Sequence, residues 1–472
     1  MNKLPDINQD FAQWYQEVIH QAELADHGPV RGTMVVRPYG WAIWENIQKY
    51  LDARIKATGH QNAAFPLLIP ESFLKKEAQH VEGFAPELAV VTHAGGKELE
   101  EPLVVRPTSE TVVHYMFAQW MRSWRDLPIK INQWASVVRW EMRPRAFLRT
   151  TEFFWQEGHT AHATAQEAEQ EARLMLHEYV TLAQDILAIP VIQGQKSKSE
   201  QFAGADATYT FEGIMPDGKA LQMGTSHRIA QSFAVAFDMK FQDQQGGMAY
   251  PHLTSWGVTT RLVGALIMTH GDQKGLVLPP RVAPIQVVII PIAKADTREQ
   301  VMAAAQDIAQ KLTAVGVRVH IDQDDQRTPG AKYYHWELRG VPVRIELGPR
   351  DLANNSVMVA DRLGLAKESI AIDQLSTVIT HKLEMLQAAL FERARERLAS
   401  LRHTGTKLSE FGPLMDTKPG CYQTGWCGNA DCEKQLKPYA ASIRCLVPEH
   451  TAPECFACTN ASVSDVVVAK SY

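Results

Sequence analysis

Charged and aromatic side chains alternate with apolar ones in two neighbouring stretches of the sequence. In "ASVVRWEM", Arg139 and Glu141 alternate with apolar residues, and in "RTTEFFWQEGH", Phe153, Trp155 and Glu157 fall on one face. This period of two predicts an antiparallel hairpin of half-buried strands. A packing face does not normally carry an arginine and two carboxylates. The polar face therefore predicts a pocket with charged and aromatic walls.

All six cysteines lie in the C-terminal part of the chain. A cysteine cluster in a reducing compartment is more often a metal site than a set of disulfides. Two close pairs, spaced C-x4-C and C-x2-C, can supply four thiolates to one tetrahedral Zn²⁺, and such a site has no open position for a substrate. We predict a structural zinc site and interpret Cys421 and Cys445 as buried or spare thiols. The predicted ligands are Cys427, Cys432, Cys455 and Cys458.

Helices and short strands must form the framework that positions the hairpin. Apolar residues recur at helical spacing from Phe11 to Ala22 and again from Trp44 to Ile55. A third helix is predicted after "RPTSE", with Ser109 as its cap. The run "FPLLIP", punctuated by two prolines, suits an edge strand. The stretch "SWGVTTRLVGALIMTHGD" predicts a strand followed directly by a helix.

A proline-marked boundary, "LVLPPRVAP", separates this region from a βαβ-like one. There, "QVVIIPI", "VRVHI" and "VPVRIEL" predict strands, and the residues between the first two predict a helix. The long helical stretch "LSTVITHKLEMLQAALFERARERLASL" links this unit to the cysteine-bearing tail. We predict three domains, spanning residues 1–281, 282–385 and 386–472.

The overall charge bears on possible partners. A net charge of −5 and a pI near 6.4 argue against a protein that coats nucleic acid through bulk positive charge. One local basic patch, which could also be a solvated surface loop, consists of Arg139, Arg143, Arg145 and Arg149. The N-terminus shows no basic start followed by an apolar run, and the longest apolar stretch is shorter than the ~20 residues that span a bilayer. We expect a cytoplasmic protein without a membrane span.

Several common catalytic signatures are missing from the sequence. It contains no G-x-x-x-x-G-K-[ST] phosphate loop, no G-x-G-x-x-G, no G-x-S-x-G and no H-E-x-x-H. "QKSKS" is similar to the lysine loop of class I aminoacyl-tRNA synthetases, but the partner H-x-G-H motif is absent. "EGHTAH" offers Glu157, His159 and His162, yet histidines so placed at a strand end are more often structural than metal ligands.

Five stretches taken together resemble one enzyme family. "FPLLIP", "RPTSE", "VVRWEMRPRAFLRTTEFFWQEGH", "GTSH" and "SWGVTTRLVG" are similar, in this order, to prolyl-tRNA synthetase of the archaeal/eukaryotic-type branch. The resemblance continues through "HWELRGVPVRIELGPRD" to the closing "KSY". It implies an α+β fold, with a class II antiparallel sheet flanked by helices that carries motifs 1, 2 and 3. An α/β anticodon-binding domain and a small C-terminal zinc-binding α/β domain would follow.

The resemblance implies a proline–tRNA ligase acting in translation. Such an enzyme activates L-proline with ATP to prolyl-adenylate and transfers the prolyl group to the 3′ end of tRNA(Pro). Activation is an in-line attack of the proline carboxylate on the α-phosphorus of ATP. Catalysis then rests on positioning and on charge stabilisation by arginines and Mg²⁺. Because no covalent enzyme intermediate is needed, the absence of a nucleophile–base pair is expected.

The resemblance also implies roles for individual residues. The implied catalytic residues are Arg139, Glu141 and Arg261. The implied ATP-binding residues are Arg139, Phe153, Gln222, Thr225, Thr259 and Arg261. The implied proline-binding residues are Thr108, Glu110, Arg139, Trp155 and His227. The implied anticodon-binding residues are Glu337, Arg344 and Arg350. Structural alternatives are a surface position at a helix start for Arg261, a helix cap for Glu110 and a core or capping role for His227.

Further expectations concern assembly and tRNA. The family implies a homodimer whose interface includes motif 1, here containing Pro66, and a terminal Tyr472 that packs back toward the catalytic domain. The loop from Met142 to Leu148 would meet the tRNA acceptor end, where its arginines suit phosphates. The segment between Phe153 and Arg261 is too short for an editing insertion, so we expect no editing domain.

Two other functions stay open at this point. A synthetase-like paralogue could bind tRNA without aminoacylating it, although such a protein could lose Arg139 or Arg261 freely. A threonyl-tRNA synthetase would hold an active-site zinc with one cysteine and two histidines, whereas this chain has no cysteine in the predicted catalytic region.

Overall fold

The helices and strands of the N-terminal region form the larger part of the molecule. The computed structural model describes residues 3–75, 88–364 and 367–472. The helices here are α1 (Phe11–Gln21), α2 (Pro38–Ala57), α3 (Glu71–Lys75), α4 (Glu110–Trp120), α5 (Ala165–Thr181), α6 (Gln231–Ala236) and α7 (Arg261–His270). The first strands are β1 (Ala25–His27), β2 (Met34–Val36), β3 (Gln61–Asn62), β4 (Leu68–Pro70), β5 (Ala89–Ala94), β6 (Lys97–Val105) and β7 (Ile129–Val138). They are followed by β8 (Glu152–His162), β9 (Ile192–Gln195), β10 (Ala205–Ile214), β11 (Ala220–Ile229), β12 (Phe241–Gln242), β13 (Met248–Ala249) and β14 (His252–Thr259).

The predicted helices and the edge strand are confirmed. The Phe11–Ala22 and Trp44–Ile55 patterns correspond to α1 and α2, and the strand–helix prediction corresponds to β14 and α7. β4 lies at the edge of a three-stranded sheet of order β4-β6-β5. Ser109 occupies the N-cap of α4, but its hydroxyl donates to Glu157 rather than capping the helix.

An antiparallel sheet forms the centre of the fold. β10, β11, β14, β8 and β7 pair successively in antiparallel fashion, and α5 packs across the first four of them. The predicted hairpin is confirmed as β7 and β8, in which Val137 pairs with Phe153. The extent predicted for its first strand is wrong, because β7 ends at Val138. Trp140 and Met142 are 47% and 70% exposed, so no buried face holds the segment in the sheet.

The second region is an α/β unit with its own core. Its strands are β15 (Val287–Pro291), β16 (Val319–Ile321), β17 (Val343–Leu347), β18 (Ser356–Asp361) and β19 (Glu368–Ala371), and its helices are α8 (Arg298–Ala314), α9 (Pro329–Leu338) and α10 (Pro349–Ala353). The sheet order is β16-β15-β17-β18-β19, with the first three strands parallel and the rest antiparallel. Helix α11 (Leu375–Leu401) follows as one 27-residue element and crosses the boundary predicted at residue 385.

The C-terminal region continues the central sheet. It contains β20 (Arg402–Thr404), α12 (Leu408–Leu414), β21 (Cys421–Trp426), α13 (Ala430–Lys434), β22 (Ala441–Val447) and β23 (Ser464–Lys470). β22 joins β9 where Leu446 pairs with Gln195. Among the described residues, the strands of the C-terminal region thereby extend the central sheet, whose order is β20-β21-β23-β22-β9-β10-β11-β14-β8-β7-β3. The approach requires a glycine at 194, since a Cβ there would lie 2.0 Å from the carbonyl oxygen of Leu446.

Tyr472 packs against the core of the N-terminal region, as predicted. Its backbone N–H donates to the carbonyl of Ala220 at 3.2 Å, and Arg149 Nη2 donates to the carbonyl of Tyr472 at 3.3 Å. Among the described helices, none is long and apolar enough to cross a membrane.

Candidate active site

A cavity of about 430 Å³ opens above the central sheet. Side chains two apart on β8, β11 and β14 face it, because successive residues of a strand point to opposite faces. The remaining walls come from the start of α4, the loop after β7, the segment between β9 and β10, β10 itself and the start of α7. The cavity brings together all the residues implied in catalysis and in binding proline or ATP, namely Thr108, Glu110, Arg139, Glu141, Phe153, Trp155, Gln222, Thr225, His227, Thr259 and Arg261.

One end of the cavity carries a buried carboxylate. Glu110 is 3% exposed and lies in the first turn of α4. Ser255 Oγ donates to Glu110 Oε1 at 2.7 Å, and the hydroxyl of Thr108 donates to Oε2. These hydroxyls orient the carboxylate, which is an acceptor suited to a cationic amine.

His227 stands beside this carboxylate as a neutral ring. Its Nδ1 lies 2.9 Å from Thr208 Oγ1 and its Nε2 lies 2.9 Å from Thr225 Oγ1. The ring stacks on Phe202 with a centroid distance of 4.5 Å. Burial lowers the pKa of His227 to about 4, because the effect of burial is larger than the opposing effect of the Glu110 charge. At neutral pH the ring is therefore an uncharged wall of the cavity.

Two arginines converge at the other end. Arg261, the first residue of α7, donates from Nε to the carbonyl of Leu148 at 3.2 Å and from Nη1 to the carbonyl of Gln222 at 3.1 Å. Arg139 donates from Nε to the carbonyl of Pro107 at 3.0 Å. Burial, followed by the charges of Arg149 and Arg139, lowers the pKa of Arg261 to about 10. Arg261 is thus protonated at neutral pH, and an anion between the arginines would relieve their repulsion.

Aromatic rings and a carboxylate complete this end. The Arg139 guanidinium lies 5.4 Å from the Phe153 ring centroid and 5.8 Å from that of Trp155. Thr259 Oγ1 accepts from the backbone N–H of Arg261 at 3.0 Å. Glu141 lies in the loop after β7 rather than in the strand, where it accepts from the backbone of Arg143 at 2.8 Å and lies 3.7 Å from Arg149 Nη1.

A hydrogen-bonded network supports the cavity floor. Glu157 Oε1 accepts from Ser109 Oγ at 2.5 Å and from Gln133 Nε2 at 2.7 Å, and Oε2 lies 3.1 Å from His159 Nε2. Burial alone would lower the pKa of His159, but the hydrogen bond and charge of Glu157 outweigh it and raise the pKa. Glu157 lines the cavity, as the polar face of the predicted hairpin indicated, whereas sequence reasoning assigned no site role to Glu200, Phe202, Thr208 or Ser255, which also line it.

The four predicted cysteine ligands form a separate cluster. Their sulfur atoms all lie within 4.8 Å of one another, with Cys427 Sγ 3.7 Å from that of Cys432 and 3.8 Å from that of Cys458. A tetrahedral zinc with Zn–S bonds of about 2.3 Å separates its sulfurs by about 3.8 Å. The donor set and spacing therefore fit Zn²⁺. Within the described ranges no other histidine, cysteine or carboxylate cluster of this kind occurs, and Glu157, His159 and His162 of "EGHTAH" do not form one.

The predicted anticodon residues do not form one group. Glu337 and Arg344 line a small hollow on the α/β unit, next to Arg362. Arg350 is exposed on α10 and is not part of that hollow. Glu337 forms an ion pair of 2.8 Å with Lys274, and the Arg344 guanidinium lies 4.2 Å from the Tyr333 ring centroid.

Comparisons with known proteins agree with this arrangement. The tRNA synthetase class II core domain (G, H, P, S and T) matches residues 91–270, and the anticodon binding domain matches residues 286–382. The C-terminal domain of prolyl-tRNA synthetase matches residues 408–472. The chain is 50% identical to proline–tRNA ligase 2 of Clostridioides difficile, covering 100% of this chain and 98% of that one. The chain belongs to the prolyl-tRNA synthetase family.

Other prolyl-tRNA synthetases are similarly close. The chloroplastic/mitochondrial proline–tRNA ligase of Arabidopsis thaliana is 52% identical, over 98% of this chain and 87% of that one. The proline–tRNA ligase of Mycobacterium leprae strain TN is 50% identical, over 98% and 97%. The family and the class II α+β fold predicted from the sequence are confirmed, as is the assignment to the proline–tRNA ligases.

Proposed function

We propose that this proline–tRNA ligase forms prolyl-adenylate in the cavity above the central sheet and then transfers the prolyl group to the 3′ end of tRNA(Pro). The observation that carries the proposal is the polarity of the cavity. A buried carboxylate and a neutral histidine occupy one end, and two protonated arginines occupy the other. This polarity matches a substrate pair with a cationic amine at one end and phosphates at the other.

L-Proline binds at the carboxylate end. Its secondary ammonium donates to Glu110, which Ser255 and Thr108 orient. Trp155 and His227 enclose the ring, because apolar and aromatic walls suit its three methylenes. The proline carboxylate then faces Arg139, whose guanidinium lies 5.8 Å from the Trp155 ring centroid.

ATP binds at the arginine end. Arg139 stabilises the charge that develops on the α-phosphate, and Arg261 holds the phosphates from the opposite side. Phe153 offers a face for the adenine ring, and Gln222, Thr225 and Thr259 provide polar groups along the nucleotide. Mg²⁺ would supply further charge neutralisation on the phosphates, and Glu141 is the carboxylate at this end that could hold it.

The tRNA contacts lie outside the cavity. The arginines of the loop from Met142 to Leu148 suit acceptor-end phosphates. The α/β unit reads anticodon bases through Glu337, Arg344 and Arg350, as proteins commonly read single-stranded loops. Zn²⁺ on the four cysteines is structural and holds the C-terminal domain together. The domain limits remain 1–281, 282–385 and 386–472, with α11 as the connection between the second and the third.

The protein acts as a homodimer in the cytoplasm. Leu68 on β4 and Trp120 on α4 are 41% and 46% exposed, and large exposed apolar side chains near motif 1 support a covered interface there. We keep the assignment to the archaeal/eukaryotic-type branch and the absence of an editing domain as parts of the proposal. The described residues between Phe153 and Arg261 form α5, α6, strands of the central sheet and one small hairpin. This composition supports the absence of an editing domain.

Proline-dependent ATP–pyrophosphate exchange tests the proposal directly. Purified protein should exchange pyrophosphate with L-proline and, less efficiently but measurably, with alanine or cysteine, since a methylene is worth only ~1–3 kcal/mol of discrimination in an apolar pocket. Exchange with another amino acid but not with proline would contradict the proposal. Hydrolysis of mischarged Ala-tRNA by the protein alone would contradict the absence of editing.

A further inference from the structure

The segment of residues 196–204, which we call the wall segment, connects β9 to β10 beside the carboxylate end of the cavity. Glu200 and Phe202 both line the cavity. Phe202 stacks on His227, and its backbone N–H donates to Thr208 Oγ1 at 3.0 Å. The same hydroxyl lies 2.9 Å from His227 Nδ1. The position of His227 therefore depends on where the wall segment lies.

The start of the wall segment is anchored in the C-terminal region. Ser197 is 2% exposed, and its hydroxyl donates to Glu433 Oε1 at 2.6 Å. Glu433 belongs to α13 and is itself buried. Its second oxygen, Oε2, has no hydrogen-bond partner among the described residues. The Glu433 carboxyl group is thus oriented chiefly by Ser197.

A second buried connection runs in parallel. Lys196 Nζ lies 2.8 Å from Glu212 Oε1, and Arg444 of β22 donates to Glu212 Oε2 from Nε at 3.2 Å and from Nη2 at 3.0 Å. Lys196, Arg444 and Glu212 are all buried, and the Glu212 carboxylate pairs with both cations out of water. Ser197 of the wall segment is therefore held directly by Glu433 of the C-terminal region, whereas Lys196 is held by Glu212 of β10, to which Arg444 of the C-terminal region also binds.

We propose that Ser197 and Glu433 are positioning residues for proline. Their hydrogen bond fixes the wall segment so that Phe202 packs on His227 and closes the carboxylate end of the cavity. The C-terminal region thereby sets the affinity for the amino acid, although none of its residues enters the cavity lining. The inference rests on the proposed function, because it takes the carboxylate end as the proline site.

Kinetics on the full-length protein test this role. Ser197→Ala and Glu433→Ala should each raise the KM for proline in pyrophosphate exchange about five- to tenfold, which is the size of one ordinary hydrogen bond. The KM for ATP and kcat should change less than twofold, because the arginine end is untouched. The double variant should resemble either single one, since both remove the same contact. Ser197→Thr, which keeps the hydroxyl, should restore the KM for proline.

Ser199→Ala is the matched control, because it makes the same chemical change at an exposed residue of the wall segment. It should leave both KM values unchanged. Thermal-shift titrations give a readout independent of turnover, since a bound ligand raises the melting temperature according to its Kd. Ser197→Ala should weaken the shift produced by proline and preserve the shift produced by ATP. Zinc content should be equal in Glu433→Ala and the unsubstituted protein.

The outcomes separate the two proposals. Unchanged proline KM in both variants, or an equal rise in the KM for proline and for ATP, would overturn the positioning role while leaving the proposed function intact. If the unsubstituted protein showed no proline-dependent exchange, the proposed function itself would fail, and this inference with it.

Discussion

Arg139 and Arg261 reach the same end of the cavity from different elements. Arg139 follows β7 and is held by the carbonyl of Pro107, whereas Arg261 begins α7 and is held by two carbonyls. Because backbone acceptors fix both guanidiniums before a ligand arrives, little reorganisation is needed when charge develops on a phosphate. Such preorganisation is the main source of electrostatic catalysis.

Replacing Arg139 tests this preorganisation. Arg139→Ala should lower kcat/KM for proline-dependent exchange by about 10²–10³-fold, the usual loss when one donor to a developing anion is removed. The protein should stay folded, since Arg139 lies beyond the end of the strand. Arg298→Ala removes an exposed arginine paired with Asp325 and serves as the control with unchanged exchange. A loss below threefold for Arg139→Ala would remove this residue from the catalytic site.

The residue types of the cavity could be predicted from local patterns only in part. The alternation of residues with a period of two predicted that Phe153 and Trp155 lie on one face of a strand, and the pairing of β8 confirms this. Ser255 was missed because its role depends on a contact with Glu110, 145 residues away in the chain. Its orientation follows from strand pairing, which sets Ser255 opposite His227. No local signal in the sequence carries that register.

At the scale of elements, short cysteine spacings were sufficient to predict a cluster. The C-x4-C pair spans the end of β21 and α13, and the C-x2-C pair lies in the connection before β23. The sequence did not indicate that these strands would extend the central sheet through β22 and β9, because one pairing residue, Leu446, makes the junction. The cysteine cluster and the cavity therefore lie along one continuous sheet rather than on separate units.

Replacing one ligand tests the metal cluster. Cys432→Ser should abolish stoichiometric zinc binding, measured by elemental analysis, and should lower the melting temperature, because metal binding contributes directly to folding. Cys421→Ala is the matched control, since Cys421 is also buried but lies outside the cluster. It should retain one zinc per chain. Zinc retained in Cys432→Ser, or lost in Cys421→Ala, would contradict the assignment of ligands.

Buried neutral histidines make these elements sensitive to acid. Burial lowers the pKa of His270, at the end of α7, to about 3 and that of His162 to about 4. An unfolded histidine titrates near 6.5, so only the unfolded chain takes up these protons as the pH falls below that value. Stability is complete above about pH 6.5 and declines toward pH 4, by at most about 1.4 kcal/mol per pH unit for each such histidine. His159, whose pKa is raised, contributes with the opposite sign.

Urea unfolding between pH 7.5 and 5 measures this effect. His270→Gln keeps a donor for the carbonyl of Leu187, which lies 2.7 Å from His270 Nε2, and should give a flatter profile than the unsubstituted protein. His27→Gln, at an exposed position, should leave the slope unchanged. Equal slopes for all three proteins would show that His270 is not neutral in the folded state.

At the scale of the whole molecule, the α/β unit is fixed to the N-terminal region by ion pairs. Arg362 follows β18 and is 7% exposed; it donates from Nη1 and Nη2 to the two carboxylate oxygens of Asp272 at 2.8 and 2.6 Å. Its Nε also donates to the carbonyl of Glu337. This bidentate pair defines an angle as well as a distance. The pair therefore fixes the orientation of the α/β unit relative to the cavity.

Loss of the Arg362–Asp272 pair should affect the aminoacylation of tRNA but not the formation of prolyl-adenylate. Arg362→Ala should leave proline-dependent exchange within twofold of the unsubstituted protein, because adenylate formation needs only the cavity. The same variant should raise the KM for tRNA in aminoacylation several-fold. The tRNA must contact the α/β unit and the cavity at the same time, and a loosened connection between them lowers the effective concentration at which a tRNA bound to one meets the other. Arg298→Ala, on the same unit but remote from Asp272 in the ion-pair network, should change neither value. An equal loss of activity in both assays would mean that Arg362 supports the catalytic fold itself. An unchanged KM for tRNA would mean that other contacts between the two regions, such as the Lys274–Glu337 ion pair, are sufficient to hold the α/β unit in place.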